Sequence, residues 1–556
     1  MANRKSHREA RSRSRCALLT AVLLLVAVPS SAQRLVDDGW LAVESRHFTL
    51  YTNATPERGY EIAESLERFR AVFAQLSPQI ELKSPAPTKL LAFKDAESYA
   101  PYKTVADRAG SRILGQFLSH VDGNYLTLDA GTELVDSFTV IYHEYVHYFV
   151  RHNFPGVPLW FNEGLAEYYS TFAIEDGLAR VGAPVDRHLD WLRRHSELGL
   201  DEVLATDQGS RKHQAGGAGR FYAVSWILVH YLLSGEAERL DQTADFFLRL
   251  SDGEDPEEAF EEAFDLRLRT LEDDLVEYSR GADLPQAEIP LHRLPTPKVD
   301  VFLLPPQEAF FHLGDLLVHM GRAEAAEHHF QLALDHQGDH AEAHAGLAHV
   351  RERQNRFEEA GLLYDDAVEL GSVDPLTYLL HGRYLLRRLS ATALSDRPKV
   401  LADARRQLRQ VVELDPGYGA GWADFARSYL PGASATDKED ARAGLQALAR
   451  ARELLPDDLS LVFLQVRLEL KSNRPDAAEE LVEGILAQRA PADRVAEARE
   501  QVARHRLLQA SERAFADGDP ESGIAYYDEA VSITSDAGLK ERMETRLLAL
   551  QERYQL

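Results

Sequence analysis

An internal repeat with a period of 34 residues constrains the fold of this chain more than any other feature. The first copy contains Leu313, Gly314, Gly321, Ala326, Phe330 and Ala333, and the second contains Leu347, Ala348, Asn355, Ala360, Tyr364 and Ala367. All of these offsets hold without a gap. A generic helical bundle would share the apolar stripe but not the fixed register. The register therefore predicts stacked helix–turn–helix units, in which small residues let helices approach and aromatic residues fill the remaining space.

The two copies resemble the tetratricopeptide repeat, a helix–turn–helix unit of about 34 residues. Weaker copies follow, one with Ala404, Leu408, Val411 and Pro416 after an insertion near residues 390–399, one with Leu448, Ala451 and Pro456, and one with Gly518, Tyr527 and Ala530. The resemblance implies an all-α solenoid over residues 307–540 and a C-terminal helix or tail over residues 541–556. Such a solenoid offers a concave surface that binds segments of partner proteins.

Residues 1–32 have the composition of an export signal. A basic start precedes an almost wholly apolar run from Ala17 to Val28, and small residues follow up to Ala32. This pattern predicts a secretory signal peptide cleaved after Ala32, and hence a periplasmic or secreted protein. The alternative is an uncleaved membrane anchor, for which this run is short against the roughly 20 residues that span a bilayer.

The charge and the cysteine content narrow the classes of function. With 62 basic and 89 acidic residues, the chain carries a formal charge of −27. This balance argues against a general affinity for nucleic acid or anionic lipid, since both need a basic surface. The one cysteine, Cys16, lies within the predicted signal. The mature chain then has no disulfide, and any metal site must use histidine and carboxylate ligands.

Three segments separate the signal from the repeats. Residues 33–135 predict a small α/β lobe, with strands at residues 47–52, 89–93 and 125–128 and a helix at residues 60–76. Residues 136–283 follow the helical period, with a first helix from Asp136 or Ser137 to about His152 and a second from about Trp160 to Phe172. Residues 284–306 are rich in proline and predict a linker or an extended strap.

The segment His143-Glu144-Tyr145-Val146-His147 lies in the first of these helices. Residues four apart on an α-helix lie on one face, so both imidazoles can reach one ion. Glu144 is rotated by about 100° from His143, which puts its carboxylate beside the ion, where a base belongs. The alternative is a surface helix with two unrelated histidines. The apolar residues around the motif argue against it, because buried unpaired polar groups are costly.

A third candidate ligand, Glu163, follows on the second helix. At about 1.5 Å per residue, the first helix runs about 7.5 Å past His147, and the second returns about 4.5 Å before it reaches Glu163. These similar lengths predict an antiparallel hairpin in which Glu163 comes back to the level of His147. Two histidines and one carboxylate form a three-ligand zinc site with its fourth position open.

The pattern H-E-x-x-H followed by N-E-G-x-A-E resembles the gluzincin zinc metallopeptidases, in the form seen in peptidase-MA-like domains. The specific motifs cover residues 143–167, and the resemblance in architecture covers about residues 40–280. It implies an α+β metallopeptidase domain with one Zn²⁺ held by His143, His147 and Glu163, and with Glu144 as general base. It also implies that Glu167 and Asn162 support the ligands.

The resemblance leads us to expect a peptidase in which Glu144 takes a proton from a metal-activated water, while the repeats recruit a substrate or partner. Tyr222, at the start of a helix over residues 221–233, is the candidate donor to the oxyanion, with His213 and Arg220 as alternatives. Residues 115–128, with a turn at Gly123-Asn124, predict a strand that pairs with an extended peptide above the site.

Two other functions stay open on the sequence. The chain could be a catalytically silent exported scaffold that retains the metallopeptidase fold, or a hydrolase of a non-peptide amide with the same zinc ligands. The intact motif favours the peptidase. The histidines scattered over the repeats are interpreted as solvated side chains and not as a second metal site; they are His328, His329, His340 and His344.

Overall fold

The computed structural model describes residues 39–76, 82, 88–103, 115–120, 122–131, 134–153, 157–206, 218–234, 237–251, 254–281, 283–431 and 437–555. The predicted signal peptide, residues 1–32, lies outside these residues, and so does His213. None of the helices within these ranges combines the length and the apolar composition that a membrane span requires.

The described residues form nine strands in two sheets. The strands are β1 (Trp40–Glu44), β2 (Thr49–Thr52), β3 (Thr88–Phe93), β4 (Gly115–His120), β5 (Gly123–Asp129), β6 (Ala173–Glu175), β7 (Leu178–Val181), β8 (Ala287–Pro290) and β9 (Asp300–Leu304). The larger sheet has the order β4-β5-β3-β2-β1-β9, with β2, β3 and β5 parallel and the outer pairings antiparallel. The strands β6, β7 and β8 form a small antiparallel sheet that the sequence did not predict.

Ten helices accompany these strands in the N-terminal half of the described chain. They are α1 (Pro56–Leu76), α2 (Ala96–Tyr99), α3 (Leu134–Asn153), α4 (Leu159–Ser170), α5 (Asp186–Arg194), α6 (Leu200–Leu204), α7 (Ala218–Leu233), α8 (Ala237–Ser251), α9 (Pro256–Phe264) and α10 (Leu268–Ser279). The predicted helices at residues 60–76, 160–172 and 221–233 correspond to α1, α4 and α7. The first helix of the motif begins at Leu134, so Asp136 and Ser137 lie inside its first turn and do not precede it.

The repeat region consists of paired helices. They are α11 (Pro306–His319), α12 (Ala323–His336), α13 (Ala341–Arg353), α14 (Phe357–Glu369), α15 (Pro375–Arg388), α16 (Arg397–Leu414), α17 (Gly419–Arg427), α18 (Asp437–Leu454), α19 (Leu459–Lys471), α20 (Pro475–Leu481), α21 (Ala492–Ala516), α22 (Pro520–Ser532) and α23 (Ala537–Tyr554). The repeat positions are buried in the helix pairs, for example Ala326, Ala360 and Ala404 at 0% exposure. The first helices α11, α13, α15 and α17 contact one another in order, and we call their shared side the first-helix face.

The backbone conformation of the turns explains why Gly321 and Asn355 occupy equivalent positions 34 residues apart. Both residues end a first helix with positive φ, +74° and +61° respectively. In both turns the amide of this residue donates a hydrogen bond back into the helix. Gly321 donates to the carbonyl oxygen of Val318 and Asn355 donates to that of Glu352, at 2.9 Å each. Glycine adopts the left-handed conformation freely and asparagine tolerates it, so the two residue types are equivalent at this position.

Each face of the large sheet is covered by a different part of the chain. One face packs against α1 and α3, with Leu50, Leu90 and Leu126 buried in a core that also holds Phe69 and Ile141. The opposite face packs against the first repeat, in a core that includes Trp40, Leu91, Phe93, Tyr125, Phe310, Leu316 and Phe330. The sheet is therefore a shared wall between the helical lobe and the solenoid.

The proline-rich segment is part of this wall and not a free linker. β8 pairs with β7 in the small sheet, and β9 adds to the edge of the large sheet beside β1, with Trp40 opposite Leu304. Edge strands tolerate proline next to them because one side needs no ladder hydrogen bonds. At the other end of the chain, where a helix or tail was predicted over residues 541–556, α23 continues to Tyr554, whose ring stacks on Phe515 with the ring centroids 5.2 Å apart.

A buried ion pair fastens the sheet to the solenoid. Nζ of Lys89 in β3 lies 2.7 Å from Oδ2 of Asp315 in α11, and the Tyr125 hydroxyl group donates to the same oxygen at 2.7 Å. Burial alone would raise the pKa of Asp315, but Lys89 and His319 outweigh it and lower the pKa to about 2. Removing one member of such a buried ion pair lowers the stability of the fold, because it leaves the other charge buried without compensation.

Lys89→Met should lower the free energy of unfolding by about 3–5 kcal/mol at pH 7, since it leaves the Asp315 carboxylate buried without its partner. Urea unfolding followed by tryptophan fluorescence measures this change. The double variant Lys89→Met/Asp315→Asn should recover much of the loss, and Arg58→Met, which removes an exposed ion pair with Glu61, should cost about 0–1 kcal/mol.

The loss caused by Lys89→Met should also depend on pH. The folded-state pKa of Asp315 is about 2 against an ordinary value of 3.8, so its ionised form stabilises the fold above about pH 4. This stabilisation is lost as the pH falls from about 4 to about 2. The difference in free energy of unfolding between the wild type and Lys89→Met should therefore become smaller over the same pH range. A gap that stays constant down to pH 2 would contradict the assigned charge pair.

Candidate metal centre

The helices α3 and α4 pack side by side and carry the histidine pair and the glutamate of the two motifs. The apolar positions around the histidines are buried, with Ile141 and Val146 at 0% exposure and Phe149 at 1%. This burial fixes the rotation of α3 about its axis, so His143 and His147 share the side that faces α4. The loop residues 154–156 between the two helices lie outside the described residues.

His143, His147 and Glu163 converge on one point, and we call them the ligand cluster. The Nε2 atoms of the two imidazoles are 3.0 Å apart. Oε2 of Glu163 lies 3.5 Å from Nε2 of His143 and 3.3 Å from Nε2 of His147. Among the described residues, this is the one group of three or more His, Cys, Asp or Glu side chains with ligand atoms close enough for a shared metal ion.

The spacing of the cluster fits a tetrahedral zinc ion. Zinc bonds of about 2.0–2.1 Å in tetrahedral geometry put ligand atoms about 3.3–3.4 Å apart, close to the three separations in the cluster. Oε2 of Glu163 is buried and has no hydrogen-bond partner, although it faces two ring nitrogens. A buried carboxylate oxygen without a partner is costly, and a cation between the three atoms would compensate it. The donor set of two imidazoles and one carboxylate is also one that zinc accepts.

Asn162 orients the His147 ring. Its Oδ1 lies 3.0 Å from Nδ1 of His147. Because the amide oxygen accepts hydrogen bonds, Nδ1 of His147 carries the proton in the neutral ring, and Nε2 presents its lone pair to the cluster. A second partner that fixes the tautomer in this way is typical of metal-binding histidines. The sequence predicted a supporting role for Asn162, and the structure places it at the required distance.

The three cluster residues stabilise one another electrostatically. Burial alone would raise the pKa of Glu163, but the nearby imidazoles of His143 and His147 outweigh it and lower the pKa to about 2. Burial alone would lower the pKa of His147, but Glu163 and Asn162 outweigh it and raise the pKa. The carboxylate therefore keeps its negative charge in a largely enclosed site, which favours a cation beside it.

Glu167 is held more firmly by residues that the sequence did not predict. Its carboxylate is 3.9 Å from Nδ1 of His143, beyond a direct hydrogen bond. Arg187 of α5 donates to both of its oxygens at 2.7 and 2.9 Å, and Nε2 of His188 lies 3.1 Å from Oε2. No spacing rule in the sequence connects α5 with α4, because this contact arises from tertiary packing. The supporting contact predicted between Glu167 and a ligand is therefore electrostatic.

Tyr222 lies near the cluster because α7 packs very closely on α4. A Cβ atom at Gly164 would lie 2.3 Å from the carbonyl oxygen of Ser225 and 2.6 Å from the Val229 side chain, so only glycine permits this approach. Burial raises the pKa of Tyr222 to about 12, and the charges of Glu163, Glu167 and Glu144 add to the rise. The phenol is therefore protonated at neutral pH and can donate a hydrogen bond towards the site.

The remaining candidates have clear positions. Glu144 is part-buried, and its negative charge acts on both His147 and Tyr222, which places it beside the cluster. The guanidinium group of Arg220 is bound by other residues, because it donates to Glu202 at 2.8 Å and to the Gly199 carbonyl at 3.2 Å. It is therefore not suited to bind an oxyanion at this site. The other alternative, His213, lies outside the described residues.

The prediction of solvated histidines in the repeats is wrong for His329 and His340. His329 is 6% exposed and bonds with the Tyr102 hydroxyl group through Nε2 at 2.9 Å. His340 is 2% exposed and accepts a hydrogen bond from the Ala343 amide at the start of α13. For His329 the cause is that the N-terminal lobe packs onto the first repeat, which the sequence of the repeat alone cannot reveal.

The comparison with protein families supports the repeat prediction. The family described as tetratricopeptide repeat matches residues 311–375. This range runs from α11 to the start of α15 and holds both copies of the 34-residue repeat. The chain therefore contains tetratricopeptide repeats, which mediate contacts between proteins. The match does not reach the ligand cluster, and a search of the curated proteins gives no match.

Solved structures with similarity to this chain include other repeat proteins. The pilF protein of Pseudomonas aeruginosa is 16% identical with a TM-score of 0.29, covering 43% of this chain and 97% of that chain. TTC0263, a tetratricopeptide-repeat protein of Thermus thermophilus, is 19% identical with a TM-score of 0.27, and the match covers 36% of this chain and 100% of that chain. A chain of the Cut9–Hcn1 hetero-tetramer is 13% identical with a TM-score of 0.28, and the match covers 74% of this chain and 67% of that chain. Scores this low add nothing to the family match.

The purified chain should bind one zinc ion, and His147→Ala should abolish stoichiometric binding, because it removes one of three ligands. The molar ratio of zinc to protein is measured after dialysis by inductively coupled plasma mass spectrometry. The matched control is His195→Ala, since His195 is exposed in the same lobe and stacks on Trp191. Equal zinc content in the two variants would contradict the assignment of the ligand cluster.

Proposed function

We propose that this chain is an exported zinc-dependent peptidase of the gluzincin type, with a tetratricopeptide-repeat solenoid attached to its catalytic lobe. The observation that carries the proposal is the convergence of two imidazole nitrogens and one carboxylate oxygen within 3.0–3.5 Å of one another. A glutamate and a tyrosine, the two further groups that peptide hydrolysis needs, lie beside this point. Export rests on the composition of residues 1–32.

The ligand cluster would hold zinc, with Asn162 orienting His147 behind it. Zinc held there would polarise a substrate carbonyl group and activate the attacking water. A set of only three protein ligands is typical of catalytic and not of purely structural zinc sites. Buried polar side chains around the cluster, Glu167 and His188 among them, keep the ligands in place.

Glu144 is suited to the proton transfers. It follows His143 directly on α3, so its carboxylate is offset from the ligand face by about 100° and stays free of the metal. It can take the proton of the attacking water and deliver it to the departing amine. Such a positioned base contributes about 10²–10⁴-fold to the rate.

Tyr222 is suited to bind the carbonyl oxygen as negative charge develops on it. The phenol keeps its proton at neutral pH because its pKa is about 12. A hydrogen-bond donor fixed in an enclosed site stabilises an oxyanion without reorganisation during the reaction. The close packing at Gly164 holds α7, and with it Tyr222, at a fixed distance from α4.

The second candidate function is an exported scaffold without turnover, and the repeats favour it. The family match lies wholly in the solenoid, and repeats of this kind bind proteins in many contexts. In that case zinc would stabilise α3 and α4, and Glu144 would have no chemical role. A hydrolase of a non-peptide amide would use the same ligands, and the choice of substrate in the assay separates it from a peptidase.

Glu144→Gln should retain one zinc ion per chain and lose hydrolysis by about 10²–10⁴-fold, because it removes the base without removing a ligand. A random peptide library analysed by mass spectrometry, with and without chelator, serves as substrate. Glu197→Gln, an exposed glutamate in the same lobe, is the control and should keep full activity. Zinc-loaded wild type that cleaves no library peptide would refute the peptidase and favour the scaffold.

Tyr222→Phe should lower kcat by about 10²-fold, with a small change in KM, because the hydroxyl group acts mainly on the charge that develops during reaction. Steady-state kinetics on the best peptide from the library measures both constants. Tyr231→Phe is the matched control, since Tyr231 lies on the same helix with its hydroxyl group bound to Arg239 at 3.0 Å. Equal kcat in both variants would remove Tyr222 from the mechanism.

A further inference from the structure

The turn between β4 and β5 lies against three helices of the solenoid. The register pairs His120 with Gly123, so Asp122 lies in the turn, whereas the predicted turn residues Gly123 and Asn124 belong to β5. Oδ1 of Asp122 is 3.4 Å from Nε2 of His319 on α11, and Oδ2 is 3.3 Å from Nη1 of Arg383 on α15. The carbonyl oxygen of Asp122 accepts a hydrogen bond from the hydroxyl group of Tyr418, which directly precedes α17. One turn of the sheet thus joins three elements of the first-helix face.

These contacts are largely enclosed and carry opposite charges. The Asp122 side chain is 14% exposed and the His319 side chain 5%. Burial alone would raise the pKa of Asp122, but His319 and Arg383 outweigh it and hold the pKa well below its usual range. Arg383 also donates to Asp424 of α17, so its guanidinium group bridges the turn and the next repeat. Hydrogen bonds between charged groups are stronger than neutral ones.

The opposite end of the same hairpin borders the helix of the ligand cluster. A Cβ atom at Gly115, the first residue of β4, would lie 3.6 Å from the Ile141 side chain of α3. The ring of Phe117 packs on the ring of Tyr148, with centroids 5.4 Å apart. Ile141 and Tyr148 flank the two histidines in the sequence. β4 is also the outermost strand of the large sheet, so no further strand of the described sheet holds it from the other side.

We propose that Asp122, His319 and Arg383 form a clamp through which the solenoid holds β4 in place against α3, the helix that carries His143 and His147. His319 and Arg383 are then positioning residues for the strand that packs on this helix, and this role rests on the proposed peptidase function. The clamp also gives the first-helix face of α11, α15 and α17 an occupant from the same chain. A partner protein that binds this part of the first-helix face must displace the hairpin.

Hydrogen–deuterium exchange of the full chain tests the clamp without any substrate. In Arg383→Met the amides of β4 should exchange about ten-fold faster, because the turn loses a charge-assisted contact. The matched control is Arg387→Met, one turn further along α15, where the arginine is 56% exposed and pairs with Glu352. Zinc content should stay at one per chain in both variants.

Two further variants test the clamp independently, in case Arg383→Met does not fold. Asp122→Asn removes the same charge pair from the side of the hairpin and should raise exchange in β4 in the same way. Arg383→Lys keeps the positive charge and should restore much of the protection. If β4 exchanges equally fast in Asp122→Asn, Arg383→Met and the Arg387→Met control, the clamp does not exist.

Kinetics on a library-derived peptide tests the positioning role. Arg383→Met should raise KM several-fold with little change in kcat, because β4 belongs to the segment expected to pair with an extended peptide and carries no reacting group. Faster exchange in β4 with an unchanged KM would overturn the positioning role. If the wild type cleaves no peptide at all, the proposed peptidase fails, whereas the exchange experiment still decides on the clamp.

Discussion

The packing of α4 between α3 and α7 is the constraint on which the rest of the site depends. On one side, the buried apolar residues of α3 fix which face the two histidines present. On the other side, Gly164 allows the backbone of α7 to approach within a distance that any side chain would prevent. Three helices are thereby locked together, and the two imidazoles, the carboxylate of Glu163 and the side chain of Tyr222 all come from residues within these helices. Sites built on rigid elements hold their geometry best.

The large sheet connects this site with the solenoid. Its two faces belong to two different cores, so it cannot move relative to either without exposing apolar surface. The ion pair of Lys89 with Asp315 and the contacts of Asp122 add charged links across the same boundary. The repeats are consequently not an independent arm on a linker. The first repeat packs directly on the large sheet of the N-terminal lobe, which restricts where a partner protein can bind.

The features that the sequence predicted are those governed by local periodicity. The turn-by-turn spacing of His143 and His147 and the matched helix lengths before and after the loop are enough to predict that Glu163 returns to the same level. The 34-residue register predicts the helix pairs in the same way, because each repeat packs mainly on its neighbours. Asn162 was predicted from its place in the N-E-G-x-A-E pattern, directly before Glu163.

Contacts between distant segments escaped prediction. Lys89 and Asp315 are separated by 226 residues, and Asp122 and Arg383 by 261, so no local pattern relates them. The addition of β9 to the sheet edge, the burial of His329 and the binding of Glu167 by Arg187 and His188 have the same origin. In each case a residue that is ordinary in its own segment gains its role from a neighbour that only the folded chain supplies.

Zinc K-edge X-ray absorption of the purified full-length chain decides whether the ligand cluster binds zinc, because it reports the identity of the atoms bound to the metal. We expect a four-coordinate shell at about 2.0–2.2 Å with two imidazole nitrogens and the rest oxygen, and loss of one imidazole in the His147→Ala variant. A shell of oxygen atoms alone, or a chain that binds no zinc when it is supplied, would contradict this expectation.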